Sequence, residues 1–419
     1  MARVVLYAMG YRGDVLPYVP VARELARRGH QVRFVCPREF HGLLEPEPFG
    51  CVHSGLDLGP NLLEQHSDFV ARWGTRLGGV MLPRLYFDKL TIPYLDRLFE
   101  VIDHELASAD LLASHPFPYF VAGPAAERRG VPAVVLDVFP MLVPSRYTDL
   151  PVLGSLRPRI SAAVWATARS RVVARVPTFA ALRRFRERLG LDVNGWNFFD
   201  ARLSQRLTIG LYSHWYQPRQ PDWPESYQLA GFTPWLGPAG LAVPAEVETF
   251  LEAGDPPVLI TLGTNAATAH PGTFVEAAGA LDALHARGLI LTSNEAIAER
   301  TKRAVGDGHG VWPFLPLGPL LSRCRAVVHA GGHGTNAAAL TAGLPSAITP
   351  AVSDQIWHAR RIAELGIGVN IKRGRLHQGL SELLRDGSMH ERAAALGQRL
   401  RTENGPKTAA TLAESALAG

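Results

Sequence analysis

The segment with the richest chemistry lies near residue 330. It reads Ala326-Val-Val-His-Ala-Gly-Gly-His-Gly-Thr-Asn-Ala-Ala-Ala-Leu340, an apolar run ending at His329, then glycines, then an Ala-rich stretch from Thr335. This order predicts a buried strand, a tight turn and a helix. Glycine amides can approach an oxyanion closely, and a helix N terminus adds about half a positive charge. The segment therefore predicts a diphosphate site, with a merely tight strand-to-helix connection as the alternative.

A second group of polar side chains follows at Pro350-Ala-Val-Ser-Asp354-Gln355. The preceding run, Ser346–Thr349, predicts a strand, and ligands of open α/β sheets bind at the carboxyl ends of strands. Asp354 offers carboxylate acceptors and Gln355 an amide, which together suit sugar hydroxyls. An Asp that caps a helix over Gln355–Glu364 is a compatible alternative.

Two residues in the first third of the chain could handle a proton. Asp14 follows the turn Gly10-Tyr-Arg-Gly13, which comes after the predicted strand Val4–Tyr7. A carboxylate there can act as a base, but it can also cap the following helix. His115 directly follows the predicted strand Asp110–Ser114. It could orient a substrate there, serve as the base instead, or be purely structural.

These candidates need a scaffold, and the chain alternates short β-branched runs with amphipathic stretches. Such alternation predicts βαβ units with parallel sheets. The predicted strands are Val4–Tyr7, Gln31–Cys36, Asp110–Ser114, Ala133–Val138, Leu207–Tyr212, Val258–Leu262, Leu289–Thr292, Ala326–Ala330 and Ser346–Thr349. The predicted helices include Val15–Arg28, Ser161–Ala174, Thr178–Leu189, Phe274–Ala286 and Glu295–Val305. The predicted fold class is α/β, and we expect two facing Rossmann-like, doubly wound domains with a cleft between them.

A Pro-rich stretch marks the predicted domain boundary. Six prolines and three glycines lie between Gln217 and Pro244, and proline removes hydrogen-bond donors and fixes φ. We therefore predict an N-terminal domain over 1–216, a linker over 217–244 and a C-terminal domain over 245–400. The last segment, 401–419, is predicted to be a helix that returns to the N-terminal domain.

Composition narrows the class of protein. The chain has 419 residues, 47% of them apolar and 19% charged, with a net charge of +5, which is weak support for nucleic-acid binding. Its three cysteines, Cys36, Cys51 and Cys324, are far apart and suggest neither a disulfide framework nor a zinc site. No signal-peptide core or long apolar span is evident, so we expect a cytoplasmic protein.

Several motifs that match in the same order along the chain identify a protein family more specifically than any one motif alone. The run from His329 to Gln355, its continuation Arg360–Gly366 and the upstream Phe314–Leu321 resemble the donor-binding signature of GT-B-fold, family 1 glycosyltransferases. Gly10–Pro17 and Gln220–Pro224 resemble the bacterial branch with sterol-type glucosyltransferases, rhamnosyltransferases and antibiotic-tailoring enzymes.

The resemblance implies a set of donor-binding residues. They are Gly263, Thr264, Phe314, Leu315, His329, Gly331, Gly332, His333, Gly334, Thr335, Asp354 and Gln355. In this scheme His329 and the turn hold the diphosphate, while Asp354 and Gln355 bind the sugar. The plant branch stacks a Trp on uracil where this chain has Phe314 and Leu315, so the choice between UDP and dTDP stays open.

The resemblance also implies the reaction, an inverting transfer of a hexose or deoxyhexose from a UDP- or dTDP-sugar. The acceptor would be a small apolar natural product: a polyketide, aromatic, sterol or lipid. Asp14, or else His115, would be the base. Aromatic and apolar residues in irregular stretches of the N-terminal half suit a flat acceptor, and we predict Phe87, Phe117, Phe139 and Met141 as the acceptor-binding residues. The helix terminus and His329 would neutralise the phosphates, and the sequence lacks an Asp-x-Asp pair, so we expect no metal and no cofactor besides the nucleotide sugar.

Other functions stay open at this point. A sugar-nucleotide epimerase or a non-catalytic nucleotide-sugar-binding protein would share the phosphate turn. A nicotinamide oxidoreductase fits less well, because Gly10–Gly13 lacks the three-glycine dinucleotide spacing. We expect no nucleic-acid partner and a monomer or homodimer, and peripheral membrane contact is left open.

Overall fold

The structure is a computed structural model of the chain. It describes residues 1–57, 86–148, 158–170, 173–238, 241–263, 272–351, 353–372 and 374–418. The chain divides into two compact units, and it changes unit between Thr233 and Pro234 and again between Thr402 and Glu403. The first unit therefore includes the C-terminal segment Glu403–Gly419.

The first unit is built on a parallel sheet whose strands are apolar and largely buried. Its strands are β1 (Arg3–Tyr7), β2 (Gln31–Cys36), β3 (Gly50–His53), β4 (Leu111–Ser114), β5 (Ala133–Asp137), β6 (Leu207–Gly210) and β7 (Tyr227–Leu229). The spatial order is β3-β2-β1-β4-β5-β6-β7. A run such as Val4 to Tyr7 is fully buried, as expected for a parallel strand covered on both faces.

Helices connect these strands. Those of the first unit are Arg12–Val15, Val19–Arg27, His41–Leu44, Leu95–Leu106, Tyr119–Arg129, Pro158–Ala168, Pro177–Arg188, Phe198–Ala201 and Gly405–Ser415. Short 3-10 or π turns add Leu16–Tyr18, Arg38–Phe40, Phe87–Thr91, Ile92–Tyr94, Pro140–Leu142 and Val173–Arg175.

The second unit repeats the architecture. Its strands are β8 (Val258–Thr261), β9 (Gly288–Leu291), β10 (His309–Trp312), β11 (Ala326–His329), β12 (Ser346–Ile348) and β13 (Gly368–Asn370). The order is β10-β9-β8-β11-β12-β13, and every pairing is parallel. Its helices are Ala245–Glu252, Thr273–Asp282, Glu295–Ala304, Leu317–Leu321, His333–Ala342, Ser353–Glu364, Leu376–Arg385 and Gly387–Thr402. The α/β prediction with two parallel-sheet domains is confirmed.

Local boundaries differ from the prediction where proline intervenes. The helix predicted over Val15–Arg28 is divided into Arg12–Val15, a 3-10 turn and Val19–Arg27, because Pro17 and Pro20 cannot donate backbone hydrogen bonds. Strand β7 lies inside the segment 217–244 that was predicted as a connector, at the edge of its sheet, where prolines nearby are tolerated.

Candidate active site

The glycine turn lies at the carboxyl end of β11, the fourth strand of its sheet. Gly331 has a φ of 92°, and a Cβ there would approach Ile348 Cγ2 to 2.7 Å and the Gln355 carbonyl oxygen to 3.1 Å. Only glycine fits both requirements. The turn is thereby pressed against β12 and the start of helix Ser353–Glu364.

His329 is fixed by the same turn. Its Nδ1 accepts a hydrogen bond from the Gly331 N–H at 3.1 Å, so the ring proton lies on Nε2. The ring is 1% exposed, and among the described residues Nε2 has no hydrogen-bond partner. Burial lowers the pKa of His329 to about 3, so the imidazole is a neutral donor near pH 7.

Helix His333–Ala342 begins directly after the turn, with Gly332 as N-cap in an extended conformation. By helix geometry, its first-turn amides, those of His333, Gly334 and Thr335, point towards the N-terminal end of the helix. Among the described residues, no atom lies within 4 Å of a Cβ placed on Gly332 or Gly334. Packing within the protein does not require glycine at these two positions. A ligand that closely approaches the backbone would require it.

The neighbouring strand ends point to the same edge. Thr261 of β8 pairs with His329, and Ile348 of β12 pairs with His329 on the other side. Gly263 follows β8 with a φ of 65°, and a Cβ there would meet no atom of the described residues within 4 Å. Thr264, also predicted to bind the donor, lies outside the described residues.

Asp354 and Gln355 occupy the first turn of helix Ser353–Glu364. The Gln355 side-chain oxygen accepts a hydrogen bond from the Ala351 N–H at 3.0 Å, which orients the amide. Asp354 is partly exposed and Gln355 is 9% exposed. The Gly331 contact with Gln355 thus places the two predicted donor-binding groups side by side.

The residues predicted to face the nucleobase follow edge strand β10. Leu315 is 4% exposed and packs in the hydrophobic core with Leu320 and Val327. Phe314 is partly exposed, and its ring lies 6.5 Å from that of Trp235 in a stacked orientation. The prediction that both residues face a nucleobase is therefore corrected for Leu315, which is part of the core, while Phe314 is the more exposed of the two.

Asp14 lies in the short helix Arg12–Val15, just beyond β1. Its Oδ2 accepts a hydrogen bond from the Tyr11 N–H at 2.9 Å, so it does cap the helix. A Cβ on Gly10 would lie 2.4 Å from the same Oδ2, so glycine is required there for the carboxylate to sit over the chain. The side chain is 22% exposed, and burial raises the pKa of Asp14 to about 7, against the smaller lowering effect of the Tyr11 N–H.

His115 follows β4 and is completely buried. Its Nε2 lies 3.9 Å from Asp14 Oδ1, which is close but too long for a hydrogen bond. Burial, followed by the positive charge of Arg202, lowers the pKa of His115 to about 3. The two candidates for proton transfer are therefore brought together, with a titratable carboxylate beside a neutral imidazole.

Three of the four predicted acceptor-binding residues form one aromatic cluster with His115. The Phe117 ring stacks on Phe139 at 5.1 Å and meets Phe87 and His115 edge-on at 5.5 and 5.3 Å. Phe87 is fully buried and Phe139 is 7% exposed, while Phe117 is partly exposed. Met141, in the turn Pro140–Leu142, is 2% exposed.

Sequence reasoning missed a buried polar network beneath this cluster. Asp137, at the end of β5, accepts hydrogen bonds from the Phe139 N–H at 3.0 Å, the Tyr227 hydroxyl at 2.7 Å and Arg202 Nη1 at 3.2 Å. Both charged residues are fully buried. Asp137 was recognisable as a polar residue at a strand end, but its partners are remote in sequence and no local pattern pairs them.

Two negative observations concern the described residues alone. They contain no group of three or more His, Cys, Asp or Glu side chains arranged to hold a metal ion. No helix among them has the length and apolar character needed to cross a bilayer.

The chain is similar in sequence to proteins of known activity. Residues 274–414 match the family model described as erythromycin biosynthesis protein CIII-like, C-terminal domain. O-mycaminosyltylonolide 6-deoxyallosyltransferase of Streptomyces fradiae is 28% identical over 428 positions, which cover 98% of this chain and 97% of that protein. Vancomycin aglycone glucosyltransferase of Amycolatopsis orientalis is 27% identical, covering 99% and 97%. The chain is a glycosyltransferase with the GT-B fold.

Solved structures of other glycosyltransferases have the same fold as this glycosyltransferase. The calicheamicin glycosyltransferase CalG4 superimposes with a TM-score of 0.70 at 19% identity, covering 100% of this chain and 98% of CalG4. VinC, solved in complex with dTDP, gives a TM-score of 0.69 at 21% identity with full coverage of both chains. The resemblance to bacterial natural-product glycosyltransferases that the motifs indicated is confirmed.

Proposed function

We propose that this glycosyltransferase transfers a hexose or deoxyhexose from a UDP- or dTDP-sugar to a small apolar natural product, with inversion and without a metal ion. The acceptor would offer a hydroxyl or an amine on a polyketide, aromatic, sterol or lipid scaffold. Relatives named as an O-mycaminosyltylonolide 6-deoxyallosyltransferase and a vancomycin aglycone glucosyltransferase support this class of substrate.

The observation that carries the proposal is the state of His329. Its Nδ1 is occupied by the Gly331 N–H, and its buried Nε2–H has no partner among the described residues. Burying an N–H without a partner costs free energy, and a ligand oxygen at this turn would remove that cost. A diphosphate fits, because the first-turn amides after Gly332 and the helix dipole favour an anion at the same place.

The reaction needs one bond made and one broken at the anomeric carbon. An acceptor oxygen or nitrogen attacks, the bond to the diphosphate breaks on the opposite side, and the nucleoside diphosphate leaves. His329 and the helix amides stabilise the charge that builds on the leaving group. Asp354 and Gln355 orient the sugar through its hydroxyls.

Asp14 takes the proton that the acceptor loses. A pKa of about 7 makes this carboxylate a better base near neutral pH than an ordinary Asp. His115, with a pKa of about 3, is the poorer base and acts as a neutral neighbour. The partly exposed Phe117, stacked on Phe139, offers an apolar surface to a flat acceptor.

The donor is tested by thermal unfolding with a panel of ligands: UDP, dTDP, and the glucose and rhamnose esters of each. We expect at least one nucleotide series to raise Tm, and product to form from its sugar ester with aromatic, macrolide or sterol acceptors. His329→Leu should remove most of the shift, since a hydrogen bond to a charged group contributes about 1.5–3 kcal/mol. A panel in which no nucleotide or sugar ester raises Tm contradicts the proposal.

Metal independence has its own test. Turnover should persist after dialysis against EDTA, because helix amides and the neutral His329 stabilise the charge of the leaving group by hydrogen bonding. Loss of turnover in EDTA that magnesium restores would show that this part of the proposal is wrong.

A further inference from the structure

Two buried polar side chains lie behind the predicted donor-binding residues. Asn336 belongs to helix His333–Ala342 and His358 to helix Ser353–Glu364, and they are 0% and 1% exposed. Asn336 Nδ2 lies 3.4 Å from His358 Nδ1, to which the amide donates. None of the roles assigned above uses this contact.

Each partner sits one helical turn from a predicted ligand group. The Asn336 N–H donates to the Gly332 carbonyl at 3.0 Å, which closes the first turn of helix His333–Ala342. His358 follows Asp354 by four residues, so the two lie on the same side of their helix. The side-chain hydrogen bond therefore links the two helices close behind the first turns that carry the predicted diphosphate and sugar contacts.

Other contacts hold the same two segments together. The Gly331 Cα lies so close to Gln355 that any Cβ would press on its backbone. The His333 and His358 rings are 6.0 Å apart. A shift of one helix start against the other is thus resisted by backbone contact at the turn and by the Asn336–His358 bond one turn deeper.

The chemistry of the pair suits a fixed spacer. Burial, followed by the nearby His333 and His329, holds the pKa of His358 well below its ordinary value. The neutral ring keeps a lone pair on Nδ1 for the Asn336 amide. A hydrogen bond between neutral, fully buried partners is not screened by water, and its loss strands a buried polar group.

We propose that Asn336 and His358 are positioning residues for the donor, which set the distance between the diphosphate turn and the sugar-binding pair Asp354 and Gln355. This inference rests on the proposed function. A nucleoside diphosphate uses only the first of these two contact regions, whereas a nucleotide sugar uses both. Breaking the bond should therefore weaken sugar-ester binding more than diphosphate binding.

The experiment compares dTDP with dTDP-glucose, and UDP with UDP-glucose, by calorimetric titration of the full chain. In His358→Leu and Asn336→Leu, we expect Kd for the diphosphate to stay within about twofold of the wild type. Kd for the sugar ester should rise about fivefold to tenfold, the effect of one hydrogen bond. In turnover assays the donor KM should rise while the acceptor KM is unchanged.

Matched variants separate positioning from general destabilisation. His358→Asn keeps an acceptor near the place of Nδ1 and should restore sugar-ester affinity, whereas His358→Gln places its acceptor near Nε2 and should not. His309→Leu removes another buried histidine of the same unit, one bonded to Asp282 at 2.9 Å. It should lower Tm without changing either Kd.

Several outcomes would overturn the inference. Equal weakening of diphosphate and sugar ester in the leucine variants would indicate a structural role alone, as would equal rescue by His358→Asn and His358→Gln. A wild-type protein that binds the diphosphate but gains nothing from the sugar would also contradict it. A wild-type protein that binds neither probe instead contradicts the proposed function itself.

Discussion

Asp14 combines two roles that sequence patterns treat as alternatives. One oxygen caps the helix start through the Tyr11 N–H, while the other lies 3.9 Å from the ring of His115. Capping lowers the pKa of a carboxylate and burial raises it, and here burial dominates. The cap fixes the direction of the carboxylate without removing its ability to take a proton.

The first prediction concerns Asp14→Asn. The amide keeps the capping oxygen but cannot accept a proton, so kcat should fall about 10²–10⁴-fold while ligand-induced stabilisation persists. In the wild type, kcat/KM should rise with pH through an apparent pKa near 7, because only the ionised carboxylate is a base. Steady-state rates from pH 5 to 9 check both statements.

Whereas kcat/KM should rise with pH, the contribution of Asp14 to the free energy of unfolding should fall. The pKa of Asp14 rises from 3.8 to about 7 on folding, so the native state holds more protons between these values and stability falls as pH rises through that window. Asp14→Asn should therefore gain Tm relative to the wild type at pH 8 and not at pH 4. Asp96→Asn, an exposed control, should leave rate and pH profile unchanged. An unaltered pH profile in Asp14→Asn would rule out the base.

At the scale of the element, the strand, turn and helix around His329 use glycine for two different reasons. Gly331 is required by its φ of 92° and by the atoms that a Cβ would strike. Gly334 has neither requirement, since a Cβ there meets no atom within 4 Å in the part of the chain that the structure describes. An open glycine in a helix lowers stability, so its presence favours a ligand that approaches the backbone.

The second prediction is that Gly334→Ala separates stability from binding. Alanine should raise the free energy of unfolding by up to about 1 kcal/mol, since it is the better helix former. Affinity for dTDP or UDP should fall roughly tenfold, because the methyl group occupies the approach to the amides. Thermal scans with and without each diphosphate measure both effects.

Gly279→Ala is the matched control for this prediction. Gly279 lies within helix Thr273–Asp282, and a Cβ there also meets nothing within 4 Å. This variant should gain stability and keep full affinity. Wild-type affinity in Gly334→Ala would show that the helix start does not receive the diphosphate.

At the scale of the whole molecule, the chain returns to its first unit at the end. Glu414 of the last helix accepts from Arg28 at 2.6 Å and contacts His30 Nε2 at 2.8 Å, and Ala409, Ala410 and Ala413 are fully buried. Burial alone would raise the pKa of Glu414, but hydrogen bonds from His30 and Arg28 lower it overall. The helix is held to the first unit by packing and by these ionic contacts.

The third prediction is that Glu414→Gln lowers the stability of the first unit by about 1 kcal/mol at pH 7, as expected for a partly exposed ionic contact. The pKa of Glu414 is depressed in the folded state, so its stabilisation is present above the ordinary value of 4.5 and is lost as pH falls. The Tm difference from wild type should shrink towards pH 4.

Glu364→Gln serves as the control, because the ion pairs of Glu364 among the described residues, with Arg360 and Arg361, lie within its own helix in the second unit. It should change Tm little at any pH. A Glu414→Gln Tm equal to the wild-type value at pH 7 would mean that packing alone holds the last helix.

Periodic patterns determined the fold class and most strands of both sheets. Strands such as Ala326–His329 are short apolar runs, and the glycines that directly follow this strand predict its turn. Helix His333–Ala342 was predictable for the same reason, because the glycines of the turn and the start of the helix lie within a few residues of one another. Strands with little apolar signal, such as Gly50–His53 and Gly368–Asn370, were not predicted, since pairing with neighbours fixes them.

Only the tertiary structure decided which side chains meet. The contacts of Asp14 with His115, Asp137 with Arg202, and Asn336 with His358 join residues 101, 65 and 22 positions apart. It also decided that Leu315 belongs to the core and that burial raises the pKa of Asp14. Burial and long-range pairing depend on how strands are ordered in the sheet, and no local spacing encodes that order.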